Sequence, residues 1–376
     1  MEDRAGGLTS RCVLCGERAE GLVSRCPRCG GPMSLDLGDV RWEVRREVPS
    51  MWRYEAMLPR FERRVSLGEG LTPFRRVGGT LLKLEGRNPT GSYADRASSV
   101  IASYVASAGA PGWSRVKYYE DFAYSFARYV GGISGVEVVI DDPTKIDPQE
   151  VVALVDAGAK VSFGPSVGAV DYANPLSIEG LKTIAFEIAE FHPRADAVLV
   201  PAETGLLALS VWKGLREADL NAEVVAVTLR GSEGPSALEG LRDLSVREED
   251  PEEAVRGLVA LARFGIRAKV LSAAAFALAE EVGGAVAIIS AAQRRFPSRG
   301  RADSGIRSEV MRALGELGEA TAYDLWGRLR RFTLRGIYKA VESLEAEGVL
   351  CARYRMRGNR RIKVYSPCPG IGRLSR

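Results

Sequence analysis

Four cysteines near the start of the chain carry the clearest chemistry. Cys12 and Cys15 form one C-x-x-C pair, Cys26 and Cys29 a second, and ten residues separate them. Gly16 and Gly30 follow the second cysteine of each pair and permit the tight turn that a metal knuckle needs. Four thiolates so spaced can surround one tetrahedral Zn²⁺. With every position a cysteine, no coordination site is left open for water, so the expected role is structural. Two disulfides or an iron site are the alternatives for the same pattern. The chain has one histidine, His192, in the run EFHPR. A relay built on several histidines is therefore excluded, and a histidine just before proline reads as a surface or capping residue.

A second stretch, Leu82 to Ser99, reads LKLEGRNPTGSYADRASS. It resembles the cofactor-lysine segment of threonine synthases, pyridoxal-phosphate enzymes of fold type II, in which lysine stands where this chain has Ala94. The resemblance extends through SLGEGLTPF (Ser66 to Phe74), Asn174 to Glu190, Val198 to Gly214 and the helical run Ser272 to Val282. It implies a cofactor cleft whose contact groups are altered together. The phosphate loop reads Pro201-Ala202-Glu203-Thr204-Gly205-Leu206, with Glu203 placing an anion where a dianion would sit. The loop that carries the family's ring-contacting asparagine reads Tyr119-Glu120-Asp121-Phe122-Ala123, with Phe122 at the asparagine. The segment under the pyridine nitrogen reads Ser290-Ala291. A methyl group cannot form a Schiff base. Moving the amine to Lys83, Lys117, Lys145, Lys160, Lys182 or Lys213 would not restore the phosphate loop, so the expectation is no pyridoxal phosphate and no catalytic residue. Asp95 and Arg96 beside Ala94 read as an ion pair at a helix start, with a ligand role as the alternative. Glu120, Asp121, Glu203 and Ser290 would line a surviving cleft able to bind an amino acid or other effector; Tyr93, Phe122 and Tyr124 would otherwise fill it.

The elements positioning these residues follow from periodicity. Short Val/Ile/Ala-rich runs, Thr80–Leu84, Val136–Ile140, Lys160–Phe163, Ala197–Pro201, Val224–Thr228 and Ala285–Ile289, read as strands. Amphipathic segments separate them: Ser98–Ser107, Pro148–Val155, Ile178–Glu190, Gly205–Glu217, Pro251–Phe264 and Ser272–Val282. The alternation predicts an α/β fold with buried parallel sheet. With the resemblance, the fold class is type II pyridoxal-phosphate-like, flanked by an N-terminal zinc ribbon and a C-terminal winged helix. The expected divisions are 1–40 (ribbon), 41–293 (core), 294–303 (basic linker) and 304–376 (winged helix-turn-helix).

The chain's net charge of +4 is unevenly spread. Residues 303–376 hold fifteen Lys and Arg against eight Asp and Glu, a net +7, leaving −3 elsewhere. Local positive charge suggests a polyanion partner for this part. Its pattern predicts a helix from Ser304 to Leu317, a second entered through a Thr321/Asp324 capping box, and a third from Thr333 to Glu347 that presents Arg335 and Lys339 outward. A hairpin follows, turning at Gly358-Asn359, with Arg353, Arg355 and Arg357 on one strand and Arg360, Arg361 and Lys363 on the other. These six are expected to form one cationic face reaching phosphate or a minor groove. Cys351 and Cys368 lack zinc spacing and read as two unrelated free thiols, with a disulfide in a thermophile's cytosol as the alternative.

No apolar run approaches the roughly 20 residues needed to span a bilayer. Only 2 Gln and 4 Asn occur in the chain, a bias shared by thermophile proteins and GC-rich genomes. The expectation is a cytoplasmic, nucleoid-associated, non-catalytic protein, homodimeric, that binds double-stranded DNA as a transcriptional regulator or chromatin factor. RNA or ribonucleoprotein binding, and an enzyme with other chemistry in the inherited cleft, stay open as alternatives.

Overall fold

The computed structural model describes residues 8–109, 112–291, 304–358 and 360–368. The chain divides into two compact units, Met1–Arg45 with Met51–Arg294, and Arg46–Ser50 with Arg295–Arg376. The expected linker 294–303 lies outside the described residues.

The first unit begins with a small antiparallel sheet of β1 (Thr9–Cys12), β2 (Arg18–Glu20) and β3 (Met33–Leu35), with β1 in the middle. Cys12, Cys26 and Met33 form its small apolar centre. Then come β4 (Phe74–Val77), β5 (Thr80–Leu84), α1 (Ala94–Ala108), β6 (Trp113–Lys117), α2 (Phe122–Val130), β7 (Gly135–Ile140), α3 (Pro148–Asp156) and β8 (Lys160–Phe163). The unit continues with α4 (Pro175–Leu181), α5 (Thr183–Phe191), β9 (Ala197–Pro201), α6 (Leu206–Glu217), β10 (Glu223–Leu229), β11 (Ser245–Glu249), α7 (Pro251–Arg263), α8 (Val270–Glu281) and β12 (Ala285–Ile289).

Two sheets result. Strands β6, β7 and β8 form a parallel three-stranded sheet. The larger sheet runs β11-β10-β9-β12-β5-β4, parallel throughout except for the antiparallel edge pair β4–β5. Its central strands are buried along their whole length, which is why their sequences are unbroken apolar runs. Helices α7 and α8 cover one face, packing Leu261, Ala273, Ala274 and Phe276 onto Leu82, Leu199, Val225 and Val227.

The structure adds strands β4, β6 and β11 and helix α2 to those expected from periodicity, and starts α1 at Ala94 rather than Ser98. Helix α2 reads FAYSFARYV, whose aromatic and β-branched residues have low helix propensity; tertiary burial decides it. The single helix expected over Ile178–Glu190 is interrupted at Lys182, which keeps helical dihedrals (φ −60°, ψ −20°).

Arg96 is fully buried, yet it makes no helix-start pair with Asp95. Its Nε donates to Glu85 Oε2 at 2.7 Å and its Nη1 to Glu187 Oε1 at 2.7 Å, while Lys83 Nζ, also fully buried, pairs with Glu187 and donates to the Thr72 carbonyl at 2.7 Å. Two cations and two carboxylates thus neutralise one another between β5, α1 and α5. Asp95 turns away and accepts from Thr90 N (2.7 Å) and Ser125 Oγ (2.6 Å). The approach of α4 to this region is close: a Cβ at Gly180 would lie 2.2 Å from the Arg96 carbonyl oxygen, so only glycine fits.

The second unit is built from α9 (Ser304–Leu317), α10 (Ala322–Arg328), α11 (Leu334–Ala346) and an antiparallel hairpin of β13 (Leu350–Arg357) and β14 (Arg360–Pro367). Ile306, Val310, Leu314, Leu325, Ile337, Val341 and Leu344 meet in its core, the helical spacing read from the sequence. The Thr321/Asp324 capping box forms in both directions. Ala320 exchanges backbone hydrogen bonds with Tyr365 (2.9 and 2.8 Å), tying the α9–α10 connection to the hairpin. Cys351 and Cys368 are joined in a disulfide, Cα–Cα 4.9 Å, and are not free thiols. The register explains the pairing: Cys351 faces Ser366, and Cys368 N bonds Val349 O at 3.2 Å, so the hairpin base brings together residues 17 apart.

Glu187→Gln removes one of the two carboxylates facing the Arg96 and Lys83 charges, and should cost about 3–5 kcal/mol of stability in urea unfolding at neutral pH. The two cations hold the Glu187 carboxyl down at about 2, below the ordinary value of roughly 4.3. Its contribution is therefore complete above about pH 4.5 and is lost as pH falls toward 2. Across that window the variant's stability should decline less steeply with acid than that of the parent protein.

Candidate functional sites

The four N-terminal thiols converge. Their Sγ atoms all lie within 4.8 Å of one another, with Cys12 to Cys29 at 3.5 Å and Cys15 to Cys26 at 3.6 Å. Tetrahedral Zn–S bonds of about 2.3 Å place sulfurs at nearly this separation. Both knuckles are formed: Gly16 N bonds Cys12 O and Gly30 N bonds Cys26 O, each glycine at φ +73°. Cys15 N and Arg28 N point at Cys12 Sγ and Cys26 Sγ (3.5 and 3.4 Å), donors that favour thiolates. The arrangement can hold one metal ion.

At the C-terminal ends of the larger sheet's parallel strands, the usual ligand end of an open α/β sheet, the residues expected to flank a cleft do assemble. Tyr93 precedes α1, Tyr119, Glu120 and Asp121 lie between β6 and α2, Glu203, Thr204 and Gly205 follow β9, and Ser290 ends β12. What they leave is a cavity of only about 80 Å³, against the roughly 300–1,000 Å³ of ordinary ligand pockets. Aromatic rings fill the rest. Tyr119 and Tyr172 stack at 4.5 Å with planes 1° apart, Tyr93 meets Tyr172 edge-on at 6.2 Å, and Phe122 lies 5.4 Å from Tyr172. Tyr119 Oη donates to Glu203 Oε2 at 2.8 Å, closing the loop after β9 onto the plug. Burial raises the Tyr93 and Tyr119 hydroxyls well above their usual range, so both are neutral donors. Tyr124, expected to help fill the cleft, does not line the cavity; Tyr172, from the loop before α4, takes that place.

Ala94 opens α1 and is fully buried. One cavity-lining lysine was absent from the sequence argument: Lys269, just before α8. Its Nζ bonds Glu120 Oε1 at 2.7 Å and Asp121 Oδ2 at 2.5 Å. Burial disfavours the ammonium, but the two carboxylates outweigh it and raise the amine's affinity for its proton. A lysine held as a cation is not a nucleophile. Asp121 sits at φ +69°, uncommon for a residue other than glycine. Ser290 Oγ is 2.9 Å from Ser272 Oγ.

The second unit carries the basic surface. Arg335 and Lys339 are exposed on α11, and Thr333 caps that helix through Gly336 N at 3.1 Å. The hairpin cations do not share one face. In the observed register Arg353 faces Val364, Arg355 faces Ile362 and Arg357 faces Arg360, so Arg353, Arg355, Arg357 and Arg360 lie on one side. Arg361 and Lys363 lie on the other, opposite Met356 and Tyr354. There Arg361 stacks over Tyr354 at 3.7 Å, and Lys363 pairs with Glu345 of α11 at 2.7 Å. Arg355 pairs with Glu319 at 2.6 Å, whereas Arg353, Arg357 and Arg360 make no ion pair within 4 Å among the described residues.

Residues 164–291 match the family described as pyridoxal-phosphate dependent enzyme. Threonine synthase of Methanosarcina acetivorans is 29% identical over 205 residues, covering 46% of this chain and 50% of that protein. The threonine synthase of Methanocaldococcus jannaschii is 27% identical over 252 residues, 57% of this chain and 62% of that one. The chain thus spans half to under two thirds of these relatives' length. Serine racemase from Dictyostelium discoideum superposes with a TM-score of 0.52 over 60% of this chain and 93% of its own, at 14% identity. An L-serine ammonia-lyase from Rhizomucor miehei gives 0.51 over 60% and 94%, at 15%. The α/β core has a fold resembling the type II pyridoxal-phosphate enzymes. At these identities the structural likeness speaks to fold alone.

Among the described residues no helix is long and apolar enough to cross a membrane. Protein purified without chelator should carry close to one zinc per chain by elemental analysis. Cys15→Ser should lose it and raise backbone exchange over residues 8–35, while leaving the larger sheet protected.

Proposed function

We propose that this protein binds double-stranded DNA through its second unit, as a transcriptional regulator or chromatin-associated factor, and that its enzyme-like core serves as a scaffold without pyridoxal-phosphate chemistry. We read helices α9 to α11 with the β13–β14 hairpin as a winged helix-turn-helix, in which α11 would enter the major groove and the hairpin would track the backbone. The observation that carries the reading is the division of the hairpin's six cations. Arg361 and Lys363 are engaged internally, fixing the hairpin to α11, and Arg355 pairs with Glu319; this leaves Arg353, Arg357 and Arg360 exposed, without an ion pair within 4 Å among the described residues. Arg335 and Lys339 offer base-edge or phosphate contacts from α11.

For the core, the residues do not fit pyridoxal phosphate. Ala94 offers no amine, Glu203 stands in the phosphate loop, the tyrosine stack occupies the space of a ring, and Lys269 is held as a cation by Glu120 and Asp121. The threonine synthase relatives are enzymes, so this reading sets the chain apart from them on the chemistry of its own residues. In this reading Zn²⁺ bound by the four cysteines is structural, and two copies would place two wings on one duplex.

Incubation with pyridoxal phosphate, borohydride reduction of any imine to the secondary amine and then dialysis should leave no covalently retained near-ultraviolet phosphopyridoxyl absorbance, in the parent protein or in Ala94→Lys, because the amine alone does not reopen the cleft. Retained absorbance in the parent protein would overturn the non-catalytic reading.

Each phosphate neutralised contributes a slope of about 0.9 to the logarithmic salt dependence of duplex binding. In anisotropy titrations the triple variant R353A/R357A/R360A should therefore lose up to about 3 from that slope and keep its thermal stability. R361A/K363A should lose thermal stability with little change in slope. Equal slope losses in the two variants, or preferential binding of RNA in competition, would count against this assignment.

A further inference from the structure

The larger sheet has a second, open end. Opposite the filled cleft, over the N-terminal ends of β5 and β12 and the segment joining α5 to β9, lies a cavity of about 540 Å³. That is large enough for a ligand of ordinary metabolite size. Arg76, Leu81, Phe191, His192 and Arg194 supply its side chains, with the backbone at Gly284 completing a wall. Among the described residues lining it, none is acidic.

The charged side chains that line it are of one sign, Arg76 and Arg194. Arg76 Nη1 donates to the Gly79 carbonyl at 3.1 Å, which fixes the guanidinium of this edge-strand residue while leaving its other donors available. Arg194 makes no ion pair within 4 Å among the described residues, and follows His192 by two positions in the turn that ends α5. The His192 ring packs against Phe74 at 4.3 Å, and its proton affinity is lowered by burial and by the charges of Arg76 and Lys83. Asp196 stands beside Gly284 and Glu280 beside Gly78 without lining the cavity. Phe191 and Leu81 supply the apolar part of the wall.

We propose that this cavity binds a small organic phosphate, with Arg76 and Arg194 taking the phosphate and Phe191 and Leu81 receiving a flat apolar moiety. Arginine's planar donor fork suits phosphate oxygens, and aromatic and aliphatic walls suit a ring. A concave site formed within one sheet end favours a small molecule over a nucleic-acid backbone, which the hairpin serves better. The assignment rests neither on DNA binding nor on the fate of the cofactor cleft.

The test uses the full zinc-loaded chain in calorimetric titrations at fixed ionic strength, with adenosine monophosphate, adenosine and inorganic phosphate as probes. The monophosphate should bind saturably and more tightly than adenosine. R76A/R194A should weaken it by at least about ten-fold, the effect of losing one charge-assisted hydrogen bond, and R76E/R194E should abolish it. Both arginines are exposed, so these variants should unfold at the parent's temperature in the absence of probe. R353A/R357A/R360A should bind the monophosphate as the parent does, which separates this site from the hairpin. Unchanged affinity in R76A/R194A, equal binding of adenosine and its monophosphate, or no saturable binding of any probe at millimolar concentrations would overturn the assignment.

Discussion

Arg96 cannot be in water, and everything around it follows from that. Desolvating a guanidinium is tolerable only when its donors are met by carboxylates in good geometry. Glu85, from the end of β5, and Glu187, from α5, meet them; the Thr72 hydroxyl donates to Glu85, and Lys83 pairs with Glu187. Because each partner comes from a different element, satisfying one charge fixes the mutual placement of strand β5, helix α1 and helix α5. Replacing such a network with apolar groups of matching shape can leave stability unchanged. Its consequence is therefore better described as position than as energy: it sets where α1 begins, and so where Ala94 and Tyr93 stand, without any ligand present.

That constraint makes the filled cleft intelligible. With the start of α1 held by the ionic network, the space at the strand ends can be occupied by tyrosines while the surrounding backbone keeps its course. Asp121 adopts a positive φ in the loop that leads into α2. Tyr119, Tyr172 and Glu203 then join the loops after β6 and β9 and the segment before α4 through a ring stack and one hydrogen bond. These side chains, more than the course of the backbone, set how much space the site leaves. The likeness to enzyme structures at 14–15% identity is of the same kind, a shared framework around different side chains.

Local patterns made some of this legible in the sequence. Two cysteine knuckles with their glycines, a Thr321/Asp324 capping box and unbroken apolar strands each encode their structure within a few residues, and each forms as read. Features that depend on contacts between distant segments were not legible. Tyr172 and Lys269 reach the cavity from loops with no motif of their own. The aromatic sequence of α2 gives a weak helical signal that burial overrides. The separation of 17 residues between Cys351 and Cys368 means nothing until the hairpin register is known. The two faces of the hairpin were readable in principle. A two-residue turn pairs odd positions of the first strand with even positions of the second, so Arg361 and Lys363 had to fall opposite Arg353, Arg355 and Arg357.

That parity bears on how charge is used across the whole chain. A basic segment of net +7 invites the view that every cation contacts a polyanion, but the register assigns Arg361 and Lys363 to a tyrosine face and a glutamate. Lys363 ties the hairpin to α11 and Arg361 covers Tyr354, while on the other face Arg355 pairs with Glu319 and Arg353, Arg357 and Arg360 are exposed. The core applies the same economy in reverse. Its overall charge is negative, its interior cations are neutralised pair by pair, and Arg76 and Arg194 at the open end of the sheet are left without carboxylate partners. In both units a cation is functionally informative where the fold has declined to pair it, and net charge alone does not reveal those places.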